Sequence, residues 1–129
     1  MLDRIDTLRM ASSLTAHAVE RQKLIARNVA NADTPGFRSR DLAGFAETYR
    51  SHGPTGMRAS RPGHLTEGRG GDGAGRITDA GGEPAPNGNT VSLEEEMFRS
   101  AAAKRQFDLS LAVTKSSLSL VRTSLGRRS

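Results

Sequence analysis

Residues 3–32 contain neither glycine nor proline, and the stretch after Gly88 is equally free of both until Gly126. Each run carries mostly apolar or small residues, with Gln22 and Lys104 among them, at alternating spacings of three and four, the pattern that keeps one stripe of a helix against a partner. In the first run the stripe is Ile5, Leu8, Ser12, Thr15, Val19, Gln22, Ala26 and Val29, with a second line, Leu14, Ala18, Ile25, Asn28 and Ala32, beside it. In the second run the alternation passes through Leu93, Met97, Ser100, Lys104, Phe107, Leu111, Thr114, Leu118, Val121 and Leu125. At 1.5 Å per residue, helices over 3–32 and 92–125 would be roughly 45 and 50 Å long, so the two arms are matched in length. The expected fold is all-α: long N- and C-terminal helices pairing as an antiparallel coiled-coil-like hairpin. Its expected parts are an N-terminal arm and turn over 1–35, a flexible middle over 36–90 and a C-terminal arm over 91–126.

The second arm has a marked beginning. Asn87-Gly88 reads as a turn, Ser92 as the helix cap and Glu95, three residues on, as its capping-box partner. Glu94, Glu95 and Glu96 lie where negative charge meets unsatisfied amides and the positive end of the helix dipole. Between the arms, residues 51–90 hold eleven of the fourteen glycines and four of the five prolines. That composition has little apolar area to offset its ordering entropy. Short strands fit only at His64-Leu65-Thr66 and Arg76-Ile77-Thr78.

The first arm ends in Asn-Val-Ala-Asn-Ala-Asp-Thr-Pro-Gly-Phe, residues 28–37. Asn28 and Asn31 can return their amides to the last helical carbonyls or reach across to a neighbour, and Asp33 and Thr34 lead into a Pro35-Gly36 turn of type II. Phe37 gives the emerging chain an apolar anchor. Two readings stay open, a well-built helix stop and a corner contacted by another subunit.

Catalytic and ligand chemistry find little support. His17, His52 and His64 stand apart from metal-ligand spacings, and no cysteine is present. The glycines at 68–75 lack the Gly-Lys-Ser/Thr ending of a phosphate loop. Successive carboxylates on a helix fan apart, so Glu94–Glu96 make a poor acid-base pair. No catalytic residue, cofactor or metal is expected. The net charge of +5 is spread along the chain without aromatic-basic interleaving, which argues against nucleic acid. No apolar run reaches the roughly 20 residues of a membrane span, and the start does not read as a cleavable secretory signal.

Residues 28–37 and the stretch Asn-Gly-Asn-Thr-Val-Ser-Leu-Glu-Glu-Glu-Met, 87–97, together resemble the FlgB family of bacterial flagellar basal-body rod proteins. The likeness extends over most of 1–50 and 87–126, with Phe37 where the family commonly has tyrosine. A related rod family such as FlgC is the nearest rival. The resemblance implies a structural subunit of the proximal rod, exported unprocessed through the flagellar type III apparatus into the periplasmic part of the basal body. It implies self-association and contacts with the rod proteins FlgC and FlgF, the adaptor FliE and the ring protein FliF. The residues expected to serve assembly are Asn28, Asn31, Asp33, Thr34, Pro35, Gly36 and Phe37 at the corner. The stripe expected to pack on the first helix and on adjacent subunits is Leu93, Met97, Phe107, Leu111, Leu118, Val121 and Leu125.

Overall fold

A computed structural model describes residues 2–51 and 75–126. The expected strand at 64–66 and the glycine run at 68–74 lie outside them. Two long helices dominate, α1 (Leu2–Ala30) and α3 (Leu93–Gly126). Between them come a strand β1 (Arg40–Leu42), a short helix α2 (Phe45–Ser51) and a strand β2 (Ile77–Asp79). Ile77–Asp79 overlaps the expected Arg76–Thr78 strand; β1 and α2 occupy part of the middle segment in which no regular structure was expected.

α1 and α3 lie along each other, and their hydrogen-bonded partners run in opposite order. Asn28 reaches Glu96, Gln22 reaches Ser100, His17 meets Gln106 and Thr15 meets Ser110. The residues that α3 buries, Glu96, Ala103, Ser110 and Ser117, repeat every seven positions and are small apart from Glu96. On α1 the buried line is Ala11, Ala18 and Ile25, with Leu24, His17 and Asn28 on its flank. Small side chains let two helix backbones approach closely, since the axial separation is set by what stands between them.

This seam corrects the expected packing in both helices. Ile5, Val19 and Val29 of the first stripe are exposed, and the second line carries the burial. In α3, Leu93, Met97, Leu111, Leu118 and Leu125 are all exposed instead of seated on α1, while Phe107 and Val121 are half-buried. Apolar periodicity marks a face that wants covering but does not say by what. A leucine in the seam would hold the helices apart, whereas alanine and serine close it. The serines add polarity without orphaned groups: the Thr15 hydroxyl donates to Ser110 Oγ at 2.8 Å, and Ser110 Oγ donates to the Phe107 carbonyl at 2.7 Å.

The remaining elements pack on one side of the helix pair. β1 and β2 pair antiparallel, with Asp41 opposite Thr78 and Leu42 opposite Ile77. Leu42 is buried, and it lines a small hollow with Leu24 of α1 and Ile77 of β2. His17 anchors α2 from beneath. Its Nε2 meets the Ala43 carbonyl at 2.8 Å and its Nδ1 meets Gln106 Nε2 at 2.9 Å, so the ring donates to the carbonyl and accepts from the amide. Phe45 stands edge-on to the imidazole, 5.7 Å between centroids, and Tyr49 lies next to it. The edge-to-face arrangement suits the ring quadrupoles.

The seam generates a paired expectation. Ser110→Leu should overpack a fully enclosed position and lose its hydrogen bond to Thr15, destabilising the chain by about 1–3 kcal/mol. Leu111→Ser, one residue away but on the open side, should change stability by no more than about 0.5 kcal/mol. Urea denaturation followed by far-ultraviolet circular dichroism distinguishes the two, and equal losses would contradict the seam.

Candidate assembly corner

The two sequence segments singled out above, 28–37 and 87–97, meet in space and are bonded to each other. α1 closes with the amides of Asn31 and Ala32 bonded to carbonyls in its last turn, after which Thr34 N–H donates to the Asn31 carbonyl. Phe37 N–H then donates to the Thr34 carbonyl at 3.2 Å, closing a turn with Gly36 at φ +72°. That is the type II geometry that Pro35-Gly36 dictates. Gly36 N–H donates to the Asn87 carbonyl at 2.9 Å, and Thr90 N–H donates to the Phe37 carbonyl at 3.0 Å. Gly88, at φ +83°, stands so close that a Cβ there would lie 3.4 Å from Gly36 Cα. The two turns sit back to back; both glycines are required by their positive φ, and Gly88 also by the close approach of Gly36.

The fastener of this corner is Asn89. Its Nδ2 lies 2.9 Å from the Asn31 carbonyl, 2.9 Å from that of Ala32 and 2.8 Å from that of Thr34. Its Oδ1 accepts from Val91 N–H at 2.8 Å, and the residue is only 3% exposed. One amide thus gathers three carbonyls at the end of α1, of which those of Asn31 and Thr34 also accept the amides of Thr34 and Phe37 while that of Ala32 has no other bond among the described residues. Sequence reading gave Asn89 no role, because the acceptors that explain it are more than fifty residues away.

Asn28 does something different from a terminal cap. Its Nδ2 donates to the Arg40 carbonyl at 2.8 Å and its Oδ1 accepts Arg40 N–H at 3.1 Å, so its side chain pairs with β1 as a neighbouring strand would. Its Nδ2 also lies 3.2 Å from Glu96 Oε1. Asn31 does return to its own helix, donating to the Arg27 carbonyl at 2.8 Å and accepting the Thr34 hydroxyl at 3.2 Å. Asp33, Thr34, Pro35 and Gly36 are exposed, and Phe37 is half-buried. The corner therefore has an inner side filled by residues 87–90 and an outer side that is open.

Beneath it lies a charged knot. Glu96 is 1% exposed; its Oε1 accepts from Arg99 Nη1 at 2.6 Å and from Ser39 Oγ at 3.4 Å, besides Asn28. Oε2 is buried without a hydrogen-bond partner among the described residues. Arg99 also donates to Glu95 at 3.2 Å and lies 3.8 Å from Asp41, which Arg21 grips through two bonds of 3.0 and 3.1 Å. Taking a carboxylate out of water is costly even when it is paired, so Glu96 is better understood as fixing the register of three elements than as adding net stability. The sequence reading treated the glutamate triplet as helix-start electrostatics. In the structure Glu95 and Glu96 are bonded to Arg99, and Glu96 is sealed inside. Ser92 does cap, its Oγ accepting Glu95 N–H at 3.4 Å, but the Glu95 carboxylate is given to Arg99 and no reciprocal capping-box bond forms.

Nothing in this arrangement offers reaction chemistry. Among the described residues no group of three or more His, Cys, Asp or Glu side chains is placed to hold a metal ion, and no helix is long and apolar enough to cross a membrane. Asn89→Asp should put a carboxylate oxygen against the carbonyls of Asn31, Ala32 and Thr34 and cost more than Asn89→Ala, which itself should lose about 1–3 kcal/mol. Denaturant titration of the two variants checks the order; an Asp variant as stable as the parent would dismiss the three-carbonyl contact.

A family model described as "Flagella basal body rod protein" matches residues 8–38, a span that runs from α1 through the corner. Flagellar basal body rod protein FlgB of Agrobacterium fabrum is 33% identical over 116 residues, covering 87% of both chains. FlgB of Salmonella typhimurium is 31% identical over 130 residues, covering 92% of each, and FlgB of Escherichia coli is 28% identical over 132 residues. These relatives are structural rod proteins, not enzymes. Nearly full-length similarity, together with a corner built from the two segments that first suggested the likeness, places this chain in the FlgB family of flagellar basal body rod proteins.

Proposed function

We propose that the chain is a structural subunit of the proximal rod of the flagellar basal body and passes torque through packed helices. The observation that carries this is the uncovered stripe: Leu93, Met97, Leu111, Leu118 and Leu125 are 48–74% exposed along one helix. Burial of a large apolar side chain contributes roughly 1.5–3 kcal/mol, so a row of them repeated between subunits can hold an assembly together. The order of partners between α1 and α3 supports an antiparallel coiled-coil-like hairpin as the rigid unit. Its closed seam would transmit force while its open stripe takes neighbours.

In this reading the neighbours are further copies of the chain, the rod proteins FlgC and FlgF, the adaptor FliE and the ring protein FliF. The subunit reaches the periplasm through the flagellar type III apparatus without a cleaved signal. The outer side of the corner, with Asp33, Thr34 and Pro35 exposed, is a second surface for such contacts.

Leu111→Asp is the direct test. The position is 48% exposed, so the isolated chain should keep its helicity, yet incorporation into purified basal bodies and swimming should fail. Normal incorporation and motility would contradict assembly through the stripe.

A further inference from the structure

The open side of the helix pair is not uniformly apolar, and its charges indicate what covers it. A groove of about 770 Å³ runs between α1 and α3, floored by Val19, Ala26, Met97 and Phe107 and edged by Lys23 and Lys104. Further along, Ile5, Leu8 and Leu125 line a second hollow of about 250 Å³ with Arg4 on its rim. Lys104, Lys115 and Arg122 are separated by eleven and seven residues, so at about 100° per residue they fall within about 20° of one another, beside Leu111 and Leu118. All three are exposed, and with Arg4 they carry no ion pair among the described residues. The carboxylates nearby are few. Glu20 is already bonded to Lys23 at 2.6 Å, and Asp3 and Asp6 fall on the other side of α1. Asp108, four residues after Lys104 and about 40° round α3 from it, is a single carboxylate beside the row that makes no ion pair with it among the described residues.

We infer that this face receives a helix of a different protein, one whose apolar line is edged by aspartates or glutamates. The inference rests on the assembly reading above and names the chemistry of the partner at that site. A second copy turned face to face would set Lys104, Lys115 and Arg122 against their own like, since a two-fold contact matches a patch with itself. A copy packed head to tail would offer them no row of carboxylates along an apolar line, since the long helices carry only Asp3, Asp6 and Glu20 on α1 and Glu94, Glu95, Glu96 and Asp108 on α3. A chain of net charge +5 is also a poor source of an acidic edge. An acid-edged helix instead places its apolar line in the groove and its carboxylates against unpaired cations, a complementarity that fixes register and rejects wrong neighbours.

The test combines a charge reversal with a zero-length cross-link in the full chain. Lys104→Glu with Lys115→Glu and Arg122→Glu should lower incorporation into basal bodies by about tenfold or more, while the same three changed to Gln should lower it less. The isolated reversal variant should keep parental helicity, because none of the three side chains holds the fold. Carbodiimide treatment of basal bodies should join Lys104 or Lys115 to an Asp or Glu of another protein, read by mass spectrometry. Undiminished incorporation of the reversal variant, or a cross-link from these lysines to a second copy, overturns the inference. If Leu111→Asp is excluded while the reversal variant enters normally, the assembly reading stands and only the acidic partner falls. If both enter normally, both fall.

Discussion

The structure depends on a close approach between two long helices that only small side chains permit. Ala11, Ala18, Ala103, Ser110 and Ser117 occupy the contact, and the Ser110 hydroxyl is hydrogen-bonded within it. A seam this thin buries little apolar area, so it leaves the large side chains on the outside. Leu93, Met97, Leu111, Leu118 and Leu125 line one flank of α3, and Phe98, Leu109 and Leu120, exposed as well, lie on its opposite flank. The uncovered flanks thus follow from the seam.

Such a thin seam needs other means of fixing its register. Asn89 joins the end of α1 to the entry of α3, Asn28 clasps β1, and Glu96 and Arg99 connect both helices with Ser39 and Asp41. These contacts are directional, in contrast to apolar burial, and they sit together at one end of the helix pair. A long lever fixed at one end, with an uncovered stripe along its length, is a sensible form for a subunit whose neighbours complete its packing.

Much of the architecture could be read from residue order. Glycine-free three-four periodicity located both long helices to within two residues, Pro35-Gly36 specified its turn, Ser92 its cap and Ile77-Thr78 a strand. Local chemistry governs each of those features. Arg40–Leu42 escaped because Arg-Asp-Leu has no strand preference of its own and is held by Asn28 and by β2. The seven residues of α2 are too few for a period to show. Asn89 and the sealed Glu96 were invisible for another reason: the carbonyls that Asn89 reaches, and the Asn28 and Ser39 that enclose Glu96, lie more than fifty residues away, and the same letters in isolation read as turn and helix start. The stripe was located correctly as a line of residues but assigned in part to the wrong neighbour, since large apolar side chains reveal a need for cover without naming the surface that supplies it.

The central claim is that small residues close the pair internally while the large apolar line is covered only on assembly. Because the chain has no cysteine, single-cysteine variants can report each position separately by their rate of maleimide labelling. Ala103→Cys should label slowly both in the isolated chain and in purified basal bodies; Leu118→Cys should label rapidly in the isolated chain and slowly in basal bodies. Rapid labelling of Ala103→Cys in the isolated chain, or equally rapid labelling of Leu118→Cys in both states, would contradict the account.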